Sequence, residues 1–202
     1  MTPPPQPAPS SPDRPPLVLA SASPRRLALL AQIGVTPDRV LSPEIDETPR
    51  HEENPRLCAR RLARAKAEAV TVPGALILAA DTVVAAGRRI LPKAETEGEA
   101  RACLALLSGR RHRVLTAVVL RLADGTLRER LAESAVGFAR LTEAEIAAYL
   151  VSGEWHGKAG GYAIQGRAAG FIRFLSGSYS NVVGLPLFET AQLLRGAGWL
   201  RP

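Results

Sequence analysis

LVLASASPRR, from Leu17 to Arg26, is the segment in which an apolar run gives way to the start of a helix. The apolar residues predict a buried strand that ends at Ser21. Pro24 suits the first helical turn, where its missing N–H leaves nothing unpaired. The free amides and positive end of that helix, with Arg25 and Arg26, then predict a pocket for an anion such as phosphate. An ordinary strand-to-helix connection with solvated arginines is the alternative.

Length and composition indicate a globular chain with one α/β domain or two small lobes. Of its 202 residues, 46% are hydrophobic and 22% are charged. No apolar run approaches the roughly 18 residues of a membrane span. Residues 1–16 are mostly Pro, Ser and Ala, without the features of a signal peptide, so we predict a disordered tail there and a single domain over 17–202. Cys58 and Cys103 lack metal-ligand spacing and fit a reducing cytoplasm.

The charge balance favours acidic partners. The formal net charge is +7 and the isoelectric point is about 10.2. Small phosphorylated molecules fit better than nucleic acid, because the arginines are spread along the chain, aromatic residues are few and no nucleic-acid-binding motif occurs. We therefore expect no stable nucleic-acid binding. The chain has 23 arginines but only three lysines, Lys66, Lys93 and Lys158. Since a compact ammonium is not always replaceable by a guanidinium, these three are candidates for specific roles.

The order of elements predicts a mixed sheet flanked by helices, with functional loops in one cleft. Strands and helices do not strictly alternate, and a hairpin with a turn at Asp124-Gly125 lies in the middle. Capping signals mark the starts of three helices at Asn54, Thr96 and Thr142. The predicted helices are 25–33, 55–70, 97–107, 143–151 and 186–195, the predicted strands are 17–21, 75–86, 113–122, 127–138 and 170–175, and the predicted loops include 152–168 and 176–181.

Acidic residues supply candidates for catalysis and metal binding. Asp81 interrupts the apolar run 75–86, and a lone buried carboxylate is costly unless it is paired or binds a metal. It is therefore a candidate metal ligand or base for activating water, a solvent-facing Asp being the alternative. Glu44, Asp46 and Glu47 could add oxygen ligands for Mg²⁺ or Mn²⁺, although such acidic loops are often only solvated.

Basic and amide side chains supply candidates for substrate binding. Lys93 precedes a helix start, where it could meet phosphate, whereas Lys66 could simply belong to a solvated basic helix face. The glycine-rich segment 158–166 carries Tyr162 and Gln165, and a glutamine can read a nucleobase edge because it both donates and accepts. A plain connecting loop is the alternative. The three histidines, His51, His112 and His156, stand in unrelated contexts, which argues against a histidine metal site or triad.

Seven motifs in order make the chain similar to the Maf family of nucleoside triphosphate pyrophosphatases, once described as septum-formation inhibitors. They span most of the chain from Leu17 to about Leu194: SASPRR, RLARAKA, AADTVV, LPKAETEGEA, LSGRRHRVLTAV, KAGGYAIQG and GSYSNVVGLPLFET. The resemblance implies an elongated α/β fold with a central cleft, shared in outline with inosine triphosphate pyrophosphatases. It also implies a divalent cation, a homodimer and hydrolysis of a nucleoside triphosphate to the monophosphate and pyrophosphate.

The resemblance assigns roles residue by residue. Asp81 matches the catalytic proton acceptor and a metal-handling position, and Glu47 matches a second metal-handling position. The matched substrate-binding positions are Ser21, Arg25, Arg26, Lys66 and Lys93. Base choice is associated with Arg25, Thr82 and Gln165, which resemble the branch acting on dTTP and UTP. The branch acting on 7-methyl-GTP tends to have a bulky aromatic, Gln and Glu at these positions.

The sequence departs from the family pattern at Lys93, and it is compatible with more than one function. The family commonly has Lys-Pro where this chain has Lys93-Ala94, with the proline displaced to Pro92, which could change the lysine's loop. The competing functions are hydrolysis of modified pyrimidine nucleotides or 7-methyl-GTP, and a non-catalytic binding protein that regulates septation or contacts nucleic acid.

Overall fold

The computed structural model describes residues 14–201 and contains a mixed sheet of seven strands. The short strand β1 lies near one edge, parallel to both β2 and β3. β3, β6, β7 and β9 then follow in antiparallel order, and β4 pairs with the end of β3. The strands are β1 (Leu17–Ala20), β2 (Arg39–Leu41), β3 (Leu76–Ala86), β4 (Arg89–Leu91), β6 (Arg111–Arg121), β7 (Leu127–Phe138) and β9 (Ile172–Ser176).

A second, two-stranded sheet pairs β5 (Lys93–Ala94) with β8 (Lys158–Ala159) in antiparallel fashion. Within residues 14–201, six α-helices accompany the two sheets. They are α1 (Pro24–Gln32), α2 (Pro55–Ala69), α3 (Glu97–Leu107), α4 (Glu143–Val151), α5 (Tyr179–Val183) and α6 (Leu187–Gly196). The predicted mixed sheet flanked by helices is confirmed.

The predicted helix starts are also confirmed. Asn54 accepts a hydrogen bond from the Arg56 amide at the start of α2. Complete capping boxes open α3 at Thr96 and α4 at Thr142. Each box satisfies amides that the first turn of a helix leaves without a partner, so these signals act locally.

Both faces of the large sheet are covered. Successive residues of β1 point to opposite faces, so that Leu17 and Leu19 join one core while Val18 and Ala20 join the other. Helix α2 packs on the second face, whereas α1, α3, α4 and α6 supply the first. The carboxyl end of β1 and the amino end of α1 border one cleft, which Ala20, Ser21, Pro24 and Arg25 line.

Three segments differ from the prediction. Residues Arg167–Phe171 form a 3₁₀ helix, so the strand predicted over 170–175 starts only at Ile172. The predicted loop 176–181 contains the start of α5, and the predicted loop 152–168 contains β8. All three depend on contacts with distant parts of the chain, which sequence patterns do not encode.

The two ends of the described chain meet. The Trp199 indole N–H donates to the carbonyl of Pro15 at 3.0 Å, and the Arg14 guanidinium lies 4.0 Å from the centre of the Trp199 ring. Residues 1–13 of the predicted tail lie outside the described part, so the division into a tail and a single domain stays a prediction. Within residues 14–201, no helix has the length and apolar character needed to cross a membrane.

Candidate functional site

A cleft of about 670 Å³ opens where β1 ends and α1 begins. Nine of the side chains that the sequence singled out line it: Ser21, Arg25, Arg26, Glu47, Lys66, Asp81, Thr82, Lys93 and Gln165. Two of the candidate metal ligands, Glu44 and Asp46, do not line it. We call Ser21, Arg26, Lys66, Asp81 and Thr82 the floor, and Lys93, Lys158 and Gln165 the rim. The structure therefore brings the predicted residues together, while their individual roles stay predictions.

Asp81 lies at the middle of β3 and is 3% exposed. The alternative of a solvent-facing Asp at a strand end is therefore wrong. The Lys66 Nζ atom donates to Asp81 Oδ1 at 2.5 Å, and Lys66 is itself buried. Helix α2 packs on the face of the sheet to which Asp81 points, and this packing brings the ammonium to the carboxylate. The buried ammonium and carboxylate hold each other in position, because moving them apart would leave each charge buried without compensation.

Glu47 connects the floor to the rim. Its Oε1 lies 2.8 Å from Lys66 Nζ, and its Oε2 accepts a hydrogen bond from Lys93 Nζ. Burial by itself would raise the pKa of Glu47, but the hydrogen bonds and charges of the two lysines outweigh it and lower the pKa to about 2. Glu47 is thus more than a solvated acidic residue, and the displaced Pro92 has not removed Lys93 from the cleft.

Arg26 is held at the floor by three acceptors. Its Nε donates to the carbonyl of Gly184 at 2.9 Å, and its Nη1 donates to Ser21 Oγ at 2.9 Å. Its Nη2 is 3.5 Å from Thr82 Oγ1, which in turn lies 3.0 Å from Thr116 Oγ1. Burial lowers the pKa of Arg26, while the charge of Asp81 opposes that shift. The guanidinium is therefore fixed before any substrate binds.

The loop that carries Gly184 depends on residues that the sequence reasoning did not single out. Asn181 is fully buried, and its Nδ2 donates to the carbonyl of Val114 and to Ser134 Oγ. The Thr116 hydroxyl donates to the carbonyl of Asn181 at 3.0 Å. These contacts attach α5 to the sheet, and their only trace in the sequence is the polar run SYSN inside a recognised motif.

Arg25 has fewer partners than Arg26. Its Nε is buried and has no hydrogen-bond partner among the described residues. Burial lowers the pKa of its guanidinium. An unpaired, partly buried cation at the mouth of a cleft is suited to receiving an anionic or carbonyl oxygen from a ligand.

A buried histidine supports the segment that carries Gln165. Tyr162 lines the cleft, and its hydroxyl lies 2.7 Å from His112 Nε2. Burial lowers the pKa of His112 to about 4, so the ring is neutral near pH 7. His112 therefore has a supporting position beside the cleft, which its isolated sequence context did not indicate.

The carboxylates fit a divalent cation that takes most of its ligands from elsewhere. Within residues 14–201, no group of three His, Cys, Asp or Glu side chains is arranged to hold a metal ion. Glu47 and Asp81 offer two carboxylates, and Lys66 engages one oxygen of each. Mg²⁺ is commonly held by one or two carboxylates together with substrate phosphates and water, and this donor set matches that pattern.

Comparison with known proteins gives strong similarity over most of the chain. A dTTP/UTP pyrophosphatase of Gluconobacter oxydans is 64% identical over 203 residues, covering 94% of this chain and 93% of that protein. A dTTP/UTP pyrophosphatase of Novosphingobium aromaticivorans is 63% identical over 186 residues, covering 91% of this chain and 92% of that protein.

Among solved structures the similarity is lower. A dITP/XTP pyrophosphatase of Mycobacterium abscessus aligns with a TM-score of 0.40 and 21% identity, covering 62% of this chain and 74% of that chain. The family match, in contrast, runs through β1, the cleft and α6, since the Maf-like protein family matches residues 16–197. The chain therefore belongs to the Maf-like protein family.

Proposed function

We propose that this chain is a nucleoside triphosphate pyrophosphatase that hydrolyses dTTP and UTP to the monophosphate and pyrophosphate. The relatives at 59–64% identity that carry the name dTTP/UTP pyrophosphatase support the activity. The observation that carries the proposal is a buried carboxylate, Asp81, at the floor of a cleft whose walls are otherwise rich in cations. A pure polyanion-binding protein would have no use for an acid at that point.

The positive groups of the cleft suit a triphosphate. A nucleoside triphosphate brings about four negative charges, which Lys and Arg side chains can offset while holding the phosphates in place. Arg26 supplies a fixed guanidinium, and the open amino end of α1 supplies backbone amides. Lys66 and Lys93 are already joined through Glu47, so their ammonium groups are held in place before the substrate arrives.

Asp81 acts as the proton acceptor in this proposal. It takes a proton from the water that attacks the α-phosphorus, the bond to the bridging oxygen breaks, and pyrophosphate leaves. Lys66 holds the carboxylate through the contact at 2.5 Å and so fixes the base relative to the phosphates. Glu47, through its contacts with Lys66 and Lys93, keeps both ammonium groups at the same end of the cleft.

A divalent cation, Mg²⁺ or Mn²⁺, is part of the proposal. Glu47 and Asp81 are the residues that would hold it. When bound, such an ion offsets phosphate charge and makes a coordinated water more acidic.

Base choice rests on Arg25, Thr82 and Gln165. Gln165 is exposed at the rim, where its amide can donate to one carbonyl of a pyrimidine and accept from the ring N–H. Thr82 presents a small hydroxyl that Thr116 already engages. This set supports the dTTP/UTP type over the 7-methyl-GTP type.

Pyrophosphate release from a nucleotide panel tests the proposal. The panel contains dTTP, UTP, CTP, 5-methyl-UTP and 7-methyl-GTP, each with Mg²⁺, with Mn²⁺ or with a chelator. We expect metal-dependent release from dTTP and UTP with the monophosphate as co-product. Preference for 7-methyl-GTP would keep the reaction and overturn the base assignment. If no triphosphate is turned over and the protein instead binds DNA with steep salt dependence, the chain is a binding protein.

Two further features belong to the same proposal. We infer a reducing compartment such as the cytoplasm, which the two free, buried cysteines support. The homodimer implied by the family resemblance stays a prediction that sedimentation velocity measures directly, and the same experiment with added DNA tests the expectation of no stable nucleic-acid binding.

A further inference from the structure

Lys158 is the one lysine to which neither the sequence motifs nor the proposed mechanism assigns a role. Within residues 14–201, all three lysines of the chain line the cleft, whereas only two of its 23 arginines, Arg25 and Arg26, do so. An ammonium that persists in so arginine-rich a sequence at this place is a candidate ligand-binding group.

The small sheet places the backbones of Lys158 and Lys93 on neighbouring strands. β5 and β8 pair so that Lys93 lies opposite Ala159 and Ala94 lies opposite Lys158. The amide of Gly157 donates to the carbonyl of Ala94 at 2.8 Å, which extends the pairing. Gly157 and Gly160 flank β8 with φ of 65° and 71°, a region that favours glycine. The position of Lys158 is thus fixed by backbone geometry.

Lys158 differs from the other two lysines in its partners. Lys66 and Lys93 each make a salt bridge with Glu47. Lys158 Nζ donates instead to the carbonyl of His156 at 2.8 Å, and within residues 14–201 no carboxylate lies within 4.0 Å of it. The two carboxylates whose charges act on Lys158 have other contacts, since Glu95 lies 3.4 Å from His156 and Glu154 lies 3.9 Å from Arg167.

Arg25 lines the same cleft as Lys158. Burial and then the positive charge of Arg25 lower the pKa of Lys158, while the charges of Glu95 and Glu154 oppose that shift. Arg25 makes no salt bridge within the described residues, and its Nε has no partner. Two cations that line one cleft without a salt-bridged carboxylate are an unfavourable arrangement that a bound anion would relieve.

We propose that Lys158 is a further substrate-binding residue that binds the phosphate chain of the nucleotide, and that Arg25 binds this chain in addition to its part in base choice. A nucleobase edge offers only neutral carbonyl and N–H groups and would leave the two charges unbalanced, whereas phosphate oxygens offset both. The inference deepens the proposed function and rests on it for the identity of the nucleotide, but not for the class of ligand.

Direct binding separates this role from base recognition. Calorimetry measures the Kd of α,β-imido-dUTP, dUMP and inorganic tripolyphosphate for the parent protein and for Lys158→Gln. We expect Lys158→Gln to raise the Kd of the imido nucleotide and of tripolyphosphate about tenfold, and that of dUMP less than twofold. Lys158→Arg should restore most of the affinity. Arg173→Gln, which removes one exposed positive charge on β9 outside the cleft, is the matched control and should change none of the three values.

The outcomes distinguish the two proposals. Equal weakening of dUMP and the imido nucleotide with unchanged tripolyphosphate binding would assign Lys158 to the nucleoside and overturn the inference, as would three unchanged affinities. In steady state, Lys158→Gln should raise KM for UTP with kcat nearly unchanged. If the parent protein hydrolyses no triphosphate, yet tripolyphosphate binding still depends on Lys158, the proposed function fails and this inference survives.

Discussion

The floor and the rim of the cleft differ in how far their side chains are already engaged by other parts of the protein. Floor side chains come from α1, α2, β3 and the residue that follows β1, and protein contacts already engage them, as in the 2.5 Å pair of Lys66 and Asp81. Rim side chains come from β5, β8 and the segment after it, and Lys158 and Gln165 keep their polar ends open to a ligand. In the proposed function, the base Asp81 is thus held in place beforehand, whereas Lys158 and Gln165 gain partners when the substrate binds.

Replacing Asp81 by Asn tests the floor and should have the largest effect. The amide keeps the shape of the side chain but cannot accept the proton from water, so kcat should fall about 1000-fold while Kd for α,β-imido-dUTP changes little. Pyrophosphate release and calorimetry measure the two quantities. Asp124→Asn, at the exposed hairpin turn, is the control. Activity close to that of the parent protein would remove Asp81 from the role of base.

Protonation of His112 tests the link between the sheet and the rim. Its ordinary pKa of 6.5 falls to about 4 in the folded protein. Below pH 6.5 the unfolded chain takes up a proton that the folded chain resists, so this stability is present above pH 6.5 and is lost as the pH falls towards 4. The loss should reach about 3 kcal/mol.

Urea unfolding between pH 7 and 4 measures this loss of unfolding free energy. In His112→Gln, which keeps a polar group near the Tyr162 hydroxyl, the unfolding free energy should fall less steeply with pH. His51→Gln, at an exposed position, should keep the parent profile. The same slope in His112→Gln and the parent protein would contradict the assignment.

Two glycines with the same backbone conformation test how tightly β8 packs against β3. Gly74 and Gly160 have φ of 70° and 71°, but a Cβ at Gly74 meets nothing within 4 Å, whereas one at Gly160 would lie 2.9 Å from Val84 Cγ1. Gly74→Ala should therefore cost about 1 kcal/mol of unfolding free energy from the backbone alone. Gly160→Ala should cost about 2 kcal/mol more, because β8 must move off β3.

Denaturant unfolding of both variants gives the difference. A double variant that adds Val84→Ala should recover part of the loss caused by Gly160→Ala, and the double-mutant cycle measures that coupling. Equal losses at Gly74 and Gly160 would mean that β8 is not tightly seated on β3.

Gln165→Glu tests recognition alone and should have the smallest effect. The carboxylate can no longer donate to a pyrimidine carbonyl, so kcat/KM for UTP should fall about tenfold relative to the parent protein. Gln192→Glu, on the exposed side of α6, carries the same change outside the cleft and serves as the control. The ratio of kcat/KM for UTP to that for 7-methyl-GTP measures base choice, and an unchanged ratio would exclude Gln165 from it.

Local signals in the sequence predicted much of the fold. The caps at Asn54, Thr96 and Thr142 are recognisable because each acts within one helical turn. Helix α5 was predicted as a loop, since its five residues are held by Asn181, which contacts strands more than 40 residues away in sequence. The pairing of β5 with β8 joins segments about 65 residues apart, and two-residue strands carry no periodic pattern of their own.

In the candidate site, too, local features could be predicted from the sequence and contacts between distant segments could not. Asp81 was identifiable from its own surroundings, because a single carboxylate in an apolar strand must be compensated. The position of Glu47 between Lys66 and Lys93 could not be derived from spacing, since three separate segments converge there. Composition indicated only the acidic run of Glu44, Asp46 and Glu47, and the family resemblance selected Glu47 from it. Neither approach indicated the supporting roles of His112 or Thr116.

The contact of Trp199 with Arg14 and Pro15 makes the topology of the described chain nearly circular. A short linker between residues 14 and 201 could close the ring, and new ends could be opened at the exposed Asp124-Gly125 turn, which contributes no residue to the cleft. Exposed turns of this kind tolerate chain breaks, so such a permutant should keep its strand pairings and its cleft. In that form β6 and β7 become the two terminal strands, and a reporter domain could be attached without passing near the substrate.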